Sequence, residues 1–213
     1  MIRTFIAVET SPEVRAAAAG LTDRLKRGWR ASEVRWVPPE NLHLTLRFLG
    51  ETEETGVAPL TAALDVVTAG TPPCRLTLGP LGAFPDARRP RVLWLGLKGA
   101  DTAALRSLQR RIEERVTGLG WEREGRPFSP HLTLGRIRPG GGADPGAGWT
   151  RAAVPELAFR VDEVVLMRSD LRPDGARYSV LHRSPLGGDV GRAESHHGSG
   201  PAIPQRTGAG GPA

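Results

Sequence analysis

The tetrapeptide His-Leu-Thr-Leu occurs twice, at residues 43–46 and 131–134, in a chain of 213 residues that has only five histidines. The two copies start 88 residues apart (131 minus 43), and each follows the same predicted order of a short apolar strand, an amphipathic helix and a proline-containing connection. Self-similarity at a fixed spacing indicates an internal duplication. We therefore expect residues 1–186 to form one domain of two related units, which usually pack about a pseudo-twofold axis.

The first unit starts with a strand at residues 3–8 and a helix. Ser11 supplies an N-cap, and Pro12 occupies the first helical position. Apolar residues then recur on one helical face, at Val14, Ala18, Leu21 and Leu25. The second unit repeats the pattern with a strand at 91–95 and Asp101 as the cap. Its apolar stripe consists of Leu105, Leu108, Ile112 and Val116, which matches the first stripe best at a spacing of 87.

The two halves differ after the motif. The first continues with a helix that ends near Val67 and a strand at 75–78. The second has a loop at 139–148, then strands at 159–167 and 176–181 joined by a turn at 173–175. The last 27 residues, 187–213, contain eight glycines and three prolines, and this composition predicts a disordered tail.

Each His-Leu-Thr-Leu copy reads as a strand, in which successive side chains point to opposite faces. Histidine and threonine then share one face while the two leucines pack inward on the other. The predicted site residues are His43, Thr45, His131 and Thr133, and the inward leucines are Leu44, Leu46, Leu132 and Leu134. A pseudo-twofold axis brings the two polar faces opposite each other across a groove.

Two histidines that flank one substrate suit acid–base chemistry, because an unperturbed pKa of about 6.5 lets one ring accept a proton while the other donates. Threonine hydroxyls can donate to phosphoryl oxygens. This set matches phosphodiester cleavage. A catalytic zinc site usually has three protein ligands, whereas only two histidines converge here, so we expect no metal. We interpret His182 as structural.

Arginines extend both motifs. Strand alternation places Arg47 on the same face as His43 and Thr45. The second copy has Gly135 at the equivalent position and Arg136 one residue later. Both arginines are therefore candidate substrate-binding residues that the duplication does not relate, and the cleft is expected to be electrostatically asymmetric.

Charge and composition bound the partners and the compartment. The net charge of +6, from 29 basic and 23 acidic residues, suggests phosphate-bearing partners, although a general compositional bias toward arginine explains it equally well. Cys74 is the only cysteine, so no intrachain disulfide forms, as is typical of a reducing cytoplasm. No apolar run is long enough for a signal peptide or a membrane span. We expect a cytoplasmic monomer that does not bind membranes.

The paired motifs resemble those of the 2H phosphoesterase superfamily, and in particular its branch of RNA 2′,3′-cyclic phosphodiesterases, also called 2′-5′ RNA ligase-like proteins. The resemblance is carried by residues 3–8, 41–50, 90–94, 130–136 and 166–178, and it covers about residues 2–186. It implies an α+β fold with two lobes, each an antiparallel sheet with outer helices, whose motifs face each other across a central cleft.

The resemblance also implies an activity. The family hydrolyses RNA 2′,3′-cyclic phosphate ends to 2′-phosphomonoesters without a metal or other cofactor. Carried onto this chain, His43 is the general acid that protonates the departing 3′ oxygen, and His131 is the general base on the attacking water. Thr45 and Thr133 hold the phosphoryl oxygens. Two alternatives stay open: 2′-5′ RNA ligation, which is the reverse chemistry, and a non-catalytic nucleotide- or RNA-binding module.

Overall fold

A computed structural model describes residues 1–139, 149–173 and 175–187 of the chain. Residues 188–213 of the predicted tail, residues 140–148 of the predicted loop and Asp174 of the predicted turn lie outside the described residues. In the described part, nine strands and three α-helices follow one another. They are β1 (Ile2–Glu9), α1 (Pro12–Lys26), β2 (Val34–Trp36), β3 (His43–Thr52), α2 (Val57–Ala69), β4 (Cys74–Phe84), β5 (Val92–Lys98), α3 (Thr102–Gly118), β6 (His131–Ile137), β7 (Ala158–Val161), β8 (Glu163–Arg172) and β9 (Gly175–Pro185).

The strands form one antiparallel sheet in the order β7-β4-β5-β6-β3-β1-β8-β9, and β2 pairs with β6 beside β3. The two predicted lobes correspond to the halves of this sheet, which meet at β3 and β6 through the single pair Leu44–Leu132. The edge strand β9 is three strands away from β3, yet Asn41 Nδ2 donates to Ala176 O at 2.9 Å. The sheet is therefore curled, and its concave face takes the place of the predicted cleft.

The duplication is visible in the strand register. Ala7 pairs with Thr45 between β1 and β3, and Trp94 pairs with Thr133 between β5 and β6. Corresponding residues are 87 apart in β1 and β5 and 88 apart in β3 and β6. Both strand pairs then have a register shift directly after the threonine. The repeat inferred from the sequence thus extends to a shared backbone irregularity.

The helices confirm the predicted stripes and correct one cap. Every apolar residue of both predicted stripes is buried between its helix and the sheet. Ser11 Oγ accepts from Val14 N–H, as an N-cap does. Asp101 does not cap α3 with its side chain. Its carboxylate instead accepts the backbone N–H of Arg75 at 2.7 Å, which ties the start of α3 to β4.

Two other predictions differ from the structure in the second half. The strand predicted at 159–167 is two strands, because Asp162 separates β7, which pairs with β4, from β8, which pairs with β1. The connection before the first motif contains the short strand β2, which was not predicted. Its three residues show no apolar alternation long enough to indicate a strand.

Candidate active site

The pair Leu44–Leu132 determines how the two motifs face each other. Antiparallel pairing at these residues sets His43 across from Thr133, and His131 across from Thr45. The four motif leucines point to the helices, as predicted. Each is at most 2% exposed: Leu44, Leu46, Leu132 and Leu134. The two histidines and two threonines therefore share the concave face of one sheet.

Both imidazoles are held in the same tautomer. His43 Nδ1 lies 2.8 Å from Asn41 O, and His131 Nδ1 lies 2.6 Å from Ser129 O. A carbonyl oxygen only accepts, so each Nδ1 carries a proton and donates it. In the neutral ring Nε2 then has the free lone pair. The carbonyl two residues before each histidine therefore binds Nδ1 and leaves Nε2 of the ring available to accept or donate a proton.

Aromatic rings from the outer strands pack around His43. The Phe5 ring centroid is 4.8 Å from that of His43, and the Tyr178 ring meets His43 edge-on at 5.2 Å. Phe5 and Tyr178 also contact each other at 5.0 Å over a small buried cluster that includes Met167. His43 is thereby placed against an apolar wall formed by β1 and β9.

A different aromatic set packs around His131. Phe84 meets its ring edge-on at 5.0 Å, and Trp94 lies 6.2 Å away. The Trp94 indole covers Gly82 so closely that a Cβ at position 82 would lie 2.2 Å from the indole carbons. A glycine on β4 is therefore required for the Trp94 indole to occupy this position near His131.

The surroundings favour neutral imidazoles in the unliganded protein. Burial lowers the pKa of His43, and the positive charges of Arg136 and His131 lower it further. Burial and Arg136 likewise lower the pKa of His131. Burial also raises the pKa of Tyr178, against the opposing effect of Arg136 and Arg3.

Arg136 lies on the concave face. Leu134 is the extra residue of the register shift, so Thr133 and Arg136 point to the same side while Gly135 turns to the helices. The Arg136 side chain is exposed, and its charge reaches both histidines. Its position on this face agrees with the predicted substrate-binding role, which stays a prediction.

The position predicted for Arg47 is wrong. The register shift at Leu46 reverses the alternation, so the Arg47 side chain points to the helices and is 8% exposed. Its Nε lies 2.7 Å from Glu113 Oε2, an ion pair without hydrogen-bond geometry, and its Nη1 donates to Phe48 O at 2.7 Å. Arg47 is a buried residue that ties β3 to α3, and Phe48 occupies the concave face in its place.

His182 fits its structural interpretation. Its Nε2 lies 2.8 Å from Asp65 Oδ1, which also accepts from Ser184 Oγ at 2.7 Å, and so β9 is attached to α2. The other residues that surround the catalytic candidates were missed as site residues. Phe5, Trp94 and Tyr178 lie in predicted strands, whereas Phe84 lies in the part of β4 that extends beyond the strand predicted at 75–78. Only the three-dimensional pairing shows which of them meet a histidine.

In the ranges that the structure describes, no group of three or more His, Cys, Asp or Glu side chains is arranged to hold a metal ion. None of the helices found there is both long and apolar enough to cross a membrane.

Comparison with known proteins identifies the family. The model of the 2'-5' RNA ligase superfamily matches residues 11–173. A Thermotoga maritima protein named RNA 2′,3′-cyclic phosphodiesterase is 32% identical over 194 residues, which cover 89% of this chain and 98% of that protein. A protein of the same name from Geobacillus stearothermophilus is 33% identical over 165 residues, but these span only 51% of its length.

Solved structures agree with this relationship. The crystal structure of Escherichia coli LigT complexed with 3′-AMP has a TM-score of 0.68 at 28% identity and covers 87% of this chain and 98% of LigT. A crystal structure of a Thermus thermophilus protein has a TM-score of 0.67 at 31% identity and covers 88% of this chain and all of that protein. The chain belongs to the 2'-5' RNA ligase superfamily.

Proposed function

We propose that this protein hydrolyses RNA 2′,3′-cyclic phosphate ends to 2′-phosphomonoesters by acid–base catalysis with His43 and His131 and without a metal. One observation carries the proposal: two histidines share one concave face with Nδ1 of each tied to a backbone carbonyl, so that both Nε2 atoms are left for proton transfer. A lone histidine could not both accept a proton from water and donate one to the leaving oxygen in the same step.

Each proton has a defined place in the reaction. Neutral His131 takes a proton from water through Nε2, and the water oxygen forms a bond to phosphorus. The bond between phosphorus and the 3′ oxygen breaks, and protonated His43 gives its Nε2 proton to that oxygen. The products are a 2′-phosphomonoester and a free 3′ hydroxyl. The assignment of acid and base follows the family resemblance, because the backbone around the two rings is equivalent.

The remaining residues on this face stabilise charge. The hydroxyls of Thr45 and Thr133 are hydrogen-bond donors for the phosphoryl oxygens, and Arg136 supplies a positive charge beside them. A bound phosphate also changes the histidines. Its negative charge favours the imidazolium form, which opposes the burial that lowers the pKa of each free ring. Substrate binding thereby helps to protonate the general acid.

The relatives support this substrate class. Proteins from Thermotoga maritima and Thermus thermophilus, 32% and 33% identical to this chain, are named RNA 2′,3′-cyclic phosphodiesterases. Escherichia coli LigT has been crystallised with 3′-AMP and with phosphate. A face with two histidines, two threonines and an exposed arginine suits the same kind of ligand, a nucleotide phosphate.

Incubation of purified protein with adenosine 2′,3′-cyclic phosphate and excess EDTA tests the proposal. We expect turnover to the 2′-phosphate, identified by its position on the ribose by phosphorus NMR. Formation of the 3′-phosphate would contradict the assignment of the leaving oxygen, and a rate that EDTA abolishes and zinc restores would contradict metal independence. Folded protein that binds the nucleotide without turnover would identify a binding module.

A further inference from the structure

Two arginines lie directly opposite each other at the edge of the proposed active site. Arg35 on β2 pairs with Arg136 on β6, and both side chains are exposed. Residues paired directly across antiparallel strands share a face, with Cβ atoms about 4.5–5.5 Å apart. Because Arg136 is on the concave face, Arg35 is on it as well. Two arginine side chains therefore leave the sheet next to each other, at one end of the set formed by His43, Thr45, His131 and Thr133, the His/Thr quartet.

The backbone holds this arrangement firmly. Strand β2 lies flush against β6 because position 135 has no side chain, and a Cβ there would approach Val34 Cγ1 to 2.9 Å. On the side away from the cleft, Val34 is buried and Trp36 packs against the core. Only Arg35, the middle residue of β2, points to the concave face. Its placement is thus fixed by packing on the other side of the strand.

Like charges directly across a sheet are destabilising unless something neutralises them. Among residues 1–139, 149–173 and 175–187, no side chain forms an ion pair with Arg35 or Arg136. The sheet has a second such pair, Arg75 on β4 opposite Arg160 on β7, but there Arg160 binds the carboxylate of Asp162. Asp162 supplies a counter-charge at the pair remote from the histidines. No described side chain supplies one at the pair beside the histidines, and two unneutralised guanidinium groups suit an anionic ligand.

The distance along β6 indicates which anion fits. Arg136 is three residues beyond Thr133 in the chain. Leu134 between them is the extra residue of the register shift and adds no step along the paired strand. The remaining two steps correspond to about 7 Å at ~3.3 Å per strand residue. An anion between Arg35 and Arg136 therefore lies next to the reacting phosphorus but separate from it, at a spacing that one nucleotide can bridge.

We propose that Arg35 and Arg136 bind a second phosphate of the substrate, the phosphodiester that joins the terminal nucleotide to the rest of an RNA chain. The inference rests on the proposed function, because it takes the cyclic phosphate to lie between His43 and His131. Two guanidinium groups suit this ligand, since each can contact phosphate oxygens through paired N–H donors. The pair makes the protein selective for oligonucleotide ends over free nucleoside cyclic phosphates.

Three substrates test the proposal: adenosine 2′,3′-cyclic phosphate, the same nucleotide with a 5′-phosphate, and the dinucleotide ApA with a 2′,3′-cyclic end. For Arg35→Gln we expect the KM of the dinucleotide to rise about tenfold and that of the nucleotide without a second phosphate to rise less than twofold. The salt dependence of log KM for the dinucleotide falls by about 0.7, the slope for one lost contact to a single strand. A similar tenfold loss on the 5′-phosphorylated mononucleotide would assign the site to any second phosphate; a loss confined to the dinucleotide assigns it to the phosphodiester.

Arg75→Gln is the matched control, because it removes one member of the remote arginine pair and should alter neither the preference nor the salt dependence. An equal loss on all three substrates, or no loss on the two that carry a second phosphate, overturns the proposal. If wild-type protein turns over none of them, the proposed function fails, and fluorescence anisotropy of a labelled short RNA then decides the arginine site alone. Tighter binding by wild type than by Arg35→Gln supports the site, and equal binding overturns it.

Discussion

The two halves of the concave face share a backbone but differ in what surrounds each histidine. Both halves have the His-x-Thr alternation, the Nδ1 bond to a carbonyl two residues earlier, and a register shift directly after the threonine. His43 packs against Phe5 and Tyr178 from β1 and β9, whereas His131 packs against Phe84 and Trp94 from β4 and β5. Both halves therefore keep the backbone contacts that leave Nε2 available, and they differ in the aromatic residues that pack against each histidine.

The clearest difference lies just beyond each threonine along its strand. The register shifts make Phe48 and Arg136 equivalent, since both are the first residue to return to the concave face. Phe48 is 50% exposed, and its ring centroid lies 6.1 Å from that of Phe5. One end of the quartet therefore carries an aromatic ring and the other a cation. This asymmetry gives two equivalent histidines unequal surroundings and lets the site orient a substrate.

Replacing either histidine should have the largest effect on activity, and the two replacements should have similar effects. We expect His43→Asn and His131→Asn each to lower kcat for a 2′,3′-cyclic nucleotide by about 10²–10⁴-fold, the usual contribution of a positioned acid or base. The free energy of unfolding should change little, because each ring has a polar edge open to the concave face. Circular dichroism and urea unfolding provide the check that both variants are folded.

A substrate with a better leaving group then separates the halves. With a bridging sulfur in place of the 3′ oxygen, the leaving thiolate needs no proton, since thiols ionise near pH ~8.5. His43→Asn should approach the wild-type rate on this substrate, while His131→Asn stays impaired. Rescue of His131→Asn instead would exchange the assigned roles, and rescue of neither would mean that His43 does not act as the acid.

The second largest effect is expected on stability, at Arg47, which strand alternation alone assigns to the wrong face of the sheet. Arg47→Met leaves Glu113 buried, at 7% exposure, without its cationic partner, so we expect a loss of about 3–5 kcal/mol in the free energy of unfolding measured with urea. Arg110→Ala, which breaks the exposed Arg110–Glu114 pair on the same helix, should cost less than about 1 kcal/mol. If Arg47→Met is stable but has a lower kcat, this result would contradict the structural role and would assign Arg47 to the substrate site.

A smaller effect is expected where the halves differ in charge. For a dinucleotide with a 2′,3′-cyclic end, Arg136→Gln should lower kcat/KM by about 10–100-fold, as expected for the loss of a charged hydrogen bond of roughly 1.5–3 kcal/mol. Arg136 lowers the pKa of both histidines, so its removal raises both and moves both limbs of the pH–rate profile to higher pH. A lower rate with an unshifted profile would show that Arg136 does not act on the histidines through its charge.

Much of this site followed from alternation and repetition in the sequence. The facing of the two motifs follows from the 88-residue repeat, and the burial of their leucines and the helical stripes follow from local periodicity. A sequence displays both directly. The position of the Arg47 side chain could not be predicted in this way. The extra residue at Leu46 reverses the face to which each later side chain of the strand points, and no residue type marks that shift. The aromatic walls and the Arg35–Arg136 pair depend on which strands become neighbours, and this is a property of the assembled sheet.

The dependence of kcat/KM on pH, measured in EDTA with a 2′,3′-cyclic nucleotide, tests most directly whether two imidazoles serve one phosphorus. Burial and Arg136 lower the pKa of both free histidines below about 6.5, so we predict a bell with its maximum on the acid side of that value. The maximum for kcat should lie at higher pH, since bound phosphate favours imidazolium. A rate that stays flat from about pH 5 to 9, or one that shows a single limb, would contradict the account.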